Sequence, residues 1–164
     1  MKAASSPATG LHLPQTSNTM AAKKTILVAE DDSNDIYLLK LAFLKAGLDV
    51  HFESVQDGEQ LIRYLQTGNH TREHPLPELL LLDIKMPKVN GFEALEWIRH
   101  QPGLKRLLII VLTSSDEPRD INRAYDLGAN SYLVKPCGME HLVGIAEHLY
   151  NYWLNLNQRP DCQK

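Results

Sequence analysis

Leu79-Leu80-Leu81-Leu82-Asp83-Ile84-Lys85-Met86-Pro87 decides the fold. Four consecutive leucines without alternation read as a short strand buried on both faces, as in the interior of a parallel sheet. Met86-Pro87 marks where the strand has to stop, because proline cannot donate to a ladder. Asp83 is thereby delivered to the strand's carboxyl end, the edge at which open α/β sheets bind ligands. A cap on the following turn is the plain alternative for one such carboxylate. The flanking sequence weighs against it.

Upstream, Thr25-Ile26-Leu27-Val28-Ala29 is an apolar strand that ends in Glu30-Asp31-Asp32. Ser33, Asn34 or Asp35 then caps a helix with apolar positions Ile36, Leu39, Leu41, Phe43 and Leu44, and Gly47 stops it. Val50 to Val55 is another strand, and Asp57-Gly58 turns it into a helix through Leu61, Ile62 and Leu65. Downstream, Asn90 caps a helix carrying Phe92, Leu95, Trp97 and Ile98, which Pro102-Gly103 breaks. Leu107 to Leu112 is a strand ending in Thr113-Ser114-Ser115, and Asp116 to Leu127 is a helix closed by Gly128. Ser131 to Val134 is the last strand, ending in Lys135-Pro136. The final helix runs from Met139 to Leu156 with Leu142, Ile145, Leu149, Trp153 and Leu156 as its inward stripe. Five strands alternating with five helices require a parallel sheet with right-handed crossovers and helices on both faces. The economical strand order is the flavodoxin-like 2-1-3-4-5.

A chain of 164 residues holds one domain with a substantial core, and its 43% apolar and 23% charged composition is that of a soluble globular protein. The expected organisation is a disordered arm over 1–24, rich in Ser, Thr, Ala and Pro, a folded domain over 25–157 and a short tail over 158–164. Met20 is an alternative start. No apolar run approaches the ~20 residues of a membrane span and no secretory signal is present, so the expected location is cytoplasmic. A net charge of −3 gives no general attraction to nucleic acid. Cys137 and Cys162 have no metal-type spacing and read as reduced thiols. His70 and His74, in a long loop over 69–78, lack a further ligand at metal spacing and read as solvated.

Four strand ends converge on one edge: Glu30-Asp31-Asp32, Asp83, Thr113 and Lys135. Clustered carboxylates repel, and burying them together is costly unless a cation lies between them. Mg²⁺ suits such a site, because it prefers an octahedron of oxygens from one or two carboxylates, waters and a phosphate. Its charge would also admit a phosphoryl group that the bare cluster repels. Phosphoryl transfer to Asp83 then accounts for the remaining groups, since a carboxylate is a competent covalent acceptor. Lys135 can pair with a phosphoryl oxygen and the Thr113 hydroxyl can donate to another.

Glu30-Asp31-Asp32, LLLLDIKMP followed by NG, Thr113 after VL, and NSYLVKP resemble the receiver domain of two-component response regulators. The spacings agree: Thr113 lies 30 residues after Asp83, and Lys135 a further 22. The resemblance covers about Lys24 to Tyr150. It implies that Asp83 is the phosphoacceptor, taking its phosphoryl group from a sensor histidine kinase. It further implies that Asp31, Asp83 and the Lys85 backbone carbonyl bind Mg²⁺ or Mn²⁺, with Glu30 acting through water and Asp32 a weaker participant. Thr113 and Tyr132 resemble the family's switch pair, and the Lys135-Pro136 bond is expected to be cis.

Asp83 lies 52 positions after Asp31, more than in minimal receivers, and the surplus falls in the 69–78 loop. That loop and the long last helix resemble the small stand-alone regulators paired with bacterial phytochrome kinases. No output domain is expected after the receiver, so the output is protein contact. Tyr150 and Trp153 are candidates for a homodimer interface, with core packing the alternative for Trp153. Two enzyme or binder classes fit poorly. A haloacid dehalogenase-type phosphatase needs an Asp two residues after its nucleophile, where Lys85 stands. A flavin or nucleotide binder wants a phosphate-cradling loop after the first strand, where the acidic run stands. A receiver fold used as an unphosphorylated interaction module is the remaining alternative.

Overall fold

The computed structural model describes residues 23–67 and 76–158. Most of the expected arm, the loop histidines His70 and His74, and the tail from residue 159 with Cys162 lie outside the described residues. The described chain runs β1 (Lys24–Ala29), α1 (Ser33–Lys45), β2 (Val50–Val55), α2 (Gly58–Gln66), β3 (Leu79–Leu82), α3 (Gly91–His100), β4 (Ile109–Thr113), α4 (Pro118–Asp126), β5 (Ser131–Val134) and α5 (Met139–His148). A 3₁₀ turn, Pro102–Leu104, follows α3, and a π-helical segment, Leu149–Leu156, continues α5. The five strands are parallel in the order β2-β1-β3-β4-β5, as the alternation of elements requires.

The four leucines of β3 divide two and two. Leu80 and Leu82 join Leu27, Ile109 and Val111 under α2 and α3, while Leu79 and Leu81 join Ile26, Val28 and Ile110 under α1 and α5. A strand that feeds both layers has to be apolar at every position, which is why β3 shows no alternation. The register sets Ala29 beside Leu82, Leu82 beside Val111, and Thr113 beside Val134. The residues that follow these positions therefore leave the sheet side by side.

Three local expectations change. In α1 the buried set is Ile36, Leu39, Ala42 and Phe43, whereas Leu44 is 74% exposed. Leu41 and Leu44 fall with Tyr37 on a second stripe turned away from the sheet, so the helix is apolar on two sides. Asp32, not Ser33, Asn34 or Asp35, caps α1, accepting from the Asn34 N–H at 2.8 Å. At the C-terminal end the repeat lengthens: Asn157 N–H bonds the Tyr152 carbonyl at 2.7 Å, an i→i+5 contact. Leu154 therefore follows Leu149 into the core, Trp153 is half-buried, and Leu156 is 70% exposed. The Lys24 ammonium donates to the Leu154 carbonyl and, at 2.8 Å, to Asn155 Oδ1, which ties the start of β1 to this segment.

Candidate functional site

The ladder carries past the ends of the strands. Asp83 N–H donates to the Ala29 carbonyl at 2.9 Å, and Lys135 N–H to the Thr113 carbonyl at 2.7 Å. Glu30 N–H donates to the Val55 carbonyl at 3.0 Å. These backbone bonds place the side chains of Glu30, Asp83, Thr113 and Lys135 at one edge of the sheet. Carboxylate oxygens of Glu30, Asp31 and Asp83 lie within 4.8 Å of one another, with Glu30 and Asp83 buried and Asp31 exposed. Three hard oxygens from two adjacent strands, one open to solvent, fit a small divalent cation that keeps part of its water. Asp32 is occupied in capping α1 and lies outside this group.

Lys135 joins this group from the end of β5. Its ammonium lies 2.5 Å from Glu30 Oε2, 2.7 Å from Asp35 Oδ2 and 3.6 Å from Asp83 Oδ2. Burial alone would lower its pKa, but the bonds to Asp35 and Glu30 and the charge of Asp83 outweigh burial and hold it above its ordinary value. Burial raises the Glu30 pKa, and the Lys135 ammonium and the Asp32 N–H only partly offset it. Lys135 reaches all three acids with Pro136 in a trans peptide. The described residues contain no cis peptide bond, which corrects the expectation for Lys135-Pro136. The trans form is the lower-energy default for X-Pro, and β5 already aims the lysine at the cluster.

Thr113 is wholly buried, and its hydroxyl has no hydrogen-bond partner among the described residues. A buried hydroxyl without a protein partner costs about 1–3 kcal/mol, which an acceptor at this edge would recover. An oxygen of an incoming anion at the Asp83 edge is such an acceptor. Tyr132 is half-buried on the neighbouring strand, and its hydroxyl donates to the Ser115 carbonyl at 2.9 Å. Ser115 Oγ in turn donates to Asp120 Oδ2 at 2.7 Å, so the β4–α4 loop is fastened to the first turn of α4. Burial raises the Tyr132 pKa, which keeps the phenol a hydrogen-bond donor.

Lys85 is exposed, and its N–H contacts Asp83 Oδ1 at 3.3 Å. Gly91 seats the start of α3 against this backbone: a Cβ there would lie 2.3 Å from the Asp83 carbonyl oxygen. A cavity at the cluster is lined by Val28, Leu39, Leu81, Leu112 and Leu142 together with Glu30, Asp83 and Lys135. Apolar walls of this kind strengthen the charge interactions beside them. Two members of the site were not singled out as such in the sequence. Asp35, expected as a cap, pairs instead with Lys135, and Leu38 lines the cavity. The signal for Asp35 was its place one turn past Asp31, which sets it on the acidic edge.

Residues 26–147 match the model of the response regulator receiver domain. The chain belongs to this family. The receiver is 36% identical over 135 residues to the probable methanogenesis regulatory protein FilR2 of Methanothrix harundinacea, covering 82% of this chain and 86% of that protein. It is 32% identical over 137 residues to the response regulator Rcp1 of Synechocystis sp., covering 84% and 93%. The crystal structure of the phosphorylated cyanobacterial phytochrome response regulator RcpA matches it with a TM-score of 0.77 at 33% identity, covering 85% of this chain and all of that one. A Mn²⁺-bound Rcp1 structure matches with a TM-score of 0.74 at 31% identity, covering 84% of this receiver and 99% of that chain. Two-component signalling is therefore the receiver's general role, and sensor histidine kinases are the class of partner that role implies.

Tyr150 and Trp153 both pack half-buried against the cluster under α1 and α5. Lys24 lies 5.8 Å from the Tyr150 ring centroid. Tyr152 stacks edge-on with Trp153 at 4.8 Å and is the more exposed of the two. No described helix is long and apolar enough to cross a membrane.

Proposed function

We propose that this receiver accepts a phosphoryl group on Asp83 from the phosphohistidine of a sensor histidine kinase and transmits the change through protein contacts. The carrying observation is the setting of the Asp83 carboxylate. Two further acids have carboxylate oxygens within 4.8 Å of it, the Lys135 ammonium lies 3.6 Å away, and the buried Thr113 hydroxyl has no partner among the described residues. In the transfer, a carboxylate oxygen of Asp83 bonds to phosphorus as the P–N bond to the kinase imidazole breaks, and the nitrogen keeps the electron pair. Asp31, Asp83 and the Lys85 carbonyl would hold Mg²⁺ or Mn²⁺, with Glu30 acting through water. The bound ion would supply positive charge that offsets the negative charge of the arriving group.

Lys135 and Thr113 take phosphoryl oxygens once Asp83 carries the group. Thr113 satisfies its hydroxyl by moving toward the phosphoryl oxygen, which vacates space into which the Tyr132 ring turns. That movement breaks the hold of Tyr132 on the Ser115 carbonyl, so the β4–α4 loop changes with it. The receiver then loses the group slowly by its own hydrolysis.

The first turns of α1, with exposed Tyr37 and Leu38, lie beside the acidic edge and offer apolar surface to the kinase. The kinase is of the bacterial phytochrome type, the protein works in the cytoplasm, and Tyr150 and Trp153 contribute to a homodimer face along β5 and the C-terminal helix. Intact mass after incubation with acetyl phosphate tests the chemistry. Expected is one phosphoryl adduct on the wild type that needs Mg²⁺, disappears with excess chelator and is lost in Asp83→Asn. An adduct of equal yield in Asp83→Asn overturns the assignment. Its absence under every condition favours an unphosphorylated interaction module.

A further inference from the structure

Lys88 is the one non-glycine residue with positive φ among the described residues, at +63°. It sits at the tip of the turn that follows the Asp83 strand, in a conformation a lysine seldom holds without a compensating contact. The contact is present: its ammonium donates to Asp57 Oδ2 at 2.6 Å, and Glu59 Oε2 lies 3.9 Å away. Asp57 is buried and already serves as the cap of α2, accepting from Gln60 N–H at 2.7 Å through its other oxygen. Beside this ion pair the two turns touch backbone to backbone, because a Cβ on Gly58 would stand 2.2 Å from the Val89 carbonyl oxygen. The base of the turn is closed by Gly91 N–H on the Ile84 carbonyl at 3.2 Å, and Met86 is buried in the core. The tip is thus held by Lys88, and between base and tip lies Lys85.

We propose that the Lys88–Asp57 pair is a clamp that positions the Lys85 backbone carbonyl for the divalent cation. The inference rests on the metal-dependent reading of the Asp83 site. Lys88 touches neither metal nor phosphoryl group; it acts through the turn, as outer partners of metal ligands do. Loosening the clamp lets the carbonyl swing and weakens cation binding, whereas Asp31 and Asp83 keep their places on β1 and β3.

Long-range electrostatics make the opposite prediction for Lys88, since removing a positive charge near an acidic site should tighten binding of a cation. The test is direct Mn²⁺ binding by the full chain, read from the free-ion electron paramagnetic resonance signal. Lys88→Asn is the main variant, because asparagine tolerates the left-handed conformation and lacks the reach to Asp57. Expected is roughly tenfold weaker Mn²⁺ binding in Lys88→Asn, restoration in Lys88→Arg, and no additional loss in Lys88→Asn/Asp57→Asn beyond Asp57→Asn alone. Unchanged or tighter binding in Lys88→Asn overturns the clamp and leaves the metal site standing. A wild type that binds no Mn²⁺ overturns both.

Discussion

In the proposed function, a resting cost and a signalling role meet in one atom of Thr113. Its buried hydroxyl has no protein partner among the described residues, an arrangement that costs free energy until an acceptor arrives. Thr113→Val keeps the shape and removes the polar atom. It should stabilise the unphosphorylated protein by about 1 kcal/mol in urea unfolding while leaving the phosphorylated protein with no such gain. Equal gains in both states would mean that the hydroxyl finds no phosphoryl oxygen. Most of the site was legible at this scale because apolar strands announce where they end, and Glu30, Asp31, Asp83, Thr113 and Lys135 each stand at such an end. Asp35 was not, since its partner Lys135 is 100 residues away and a first-turn aspartate reads equally well as a cap. The trans geometry of the Lys135-Pro136 bond was not legible either, because the resemblance to the family, not the local residues, suggested the cis form.

Turns rather than helices set the positions of the functional groups. Gly91 and Gly144 both occupy helices, and alanine has the higher helical propensity at each, yet their surroundings differ. Gly144→Ala places a methyl in open space and should stabilise by about 1 kcal/mol. Gly91→Ala drives a methyl into the Asp83 backbone and should destabilise by about 1–3 kcal/mol. Urea unfolding of the two variants checks both signs. The pair Lys88–Asp57 gives a pH signature as well. The Lys88 ammonium, then the Gln60 N–H, hold the Asp57 carboxyl below its ordinary value of 3.8. A carboxyl lowered in the folded state stabilises above its unfolded pKa, and that stability is lost as pH falls through the folded value. The advantage of wild type over Lys88→Asn should therefore be constant near neutrality and shrink below about pH 4 in thermal melts. An advantage that grows on acidification would contradict the ion pair. Capping of α3 by Asn90, with Glu93 N–H donating to it at 3.1 Å and Glu93 bonding back, was readable from four residues. The end of the last helix was not, because nothing in the composition of 149–156 separates π from α spacing.

For the whole molecule, the alternation of five strands with five helices left few topologies, and the order 2-1-3-4-5 followed from length and handedness. What the order accomplishes is the placing of β1 and β3 as neighbours at the centre, so that two acidic strand ends share one edge with the lysine of the outermost strand. Surface roles were harder to read. Leu39 and Leu44 look alike in the sequence, and only the helix's orientation makes one core and the other exposed apolar surface. The same holds for Tyr150, Tyr152 and Trp153, whose exposures depend on the lengthened repeat. The central claim, that the edge converts Asp83 into an acyl phosphate, is tested most directly by trapping the product. Borohydride reduces an aspartyl phosphate to homoserine, and peptide mapping locates it. After incubation with acetyl phosphate and Mg²⁺, homoserine should appear at position 83 alone. Homoserine at another aspartate, or a phosphoryl group that survives borohydride as a stable ester on Thr113 or Ser115, would contradict the claim.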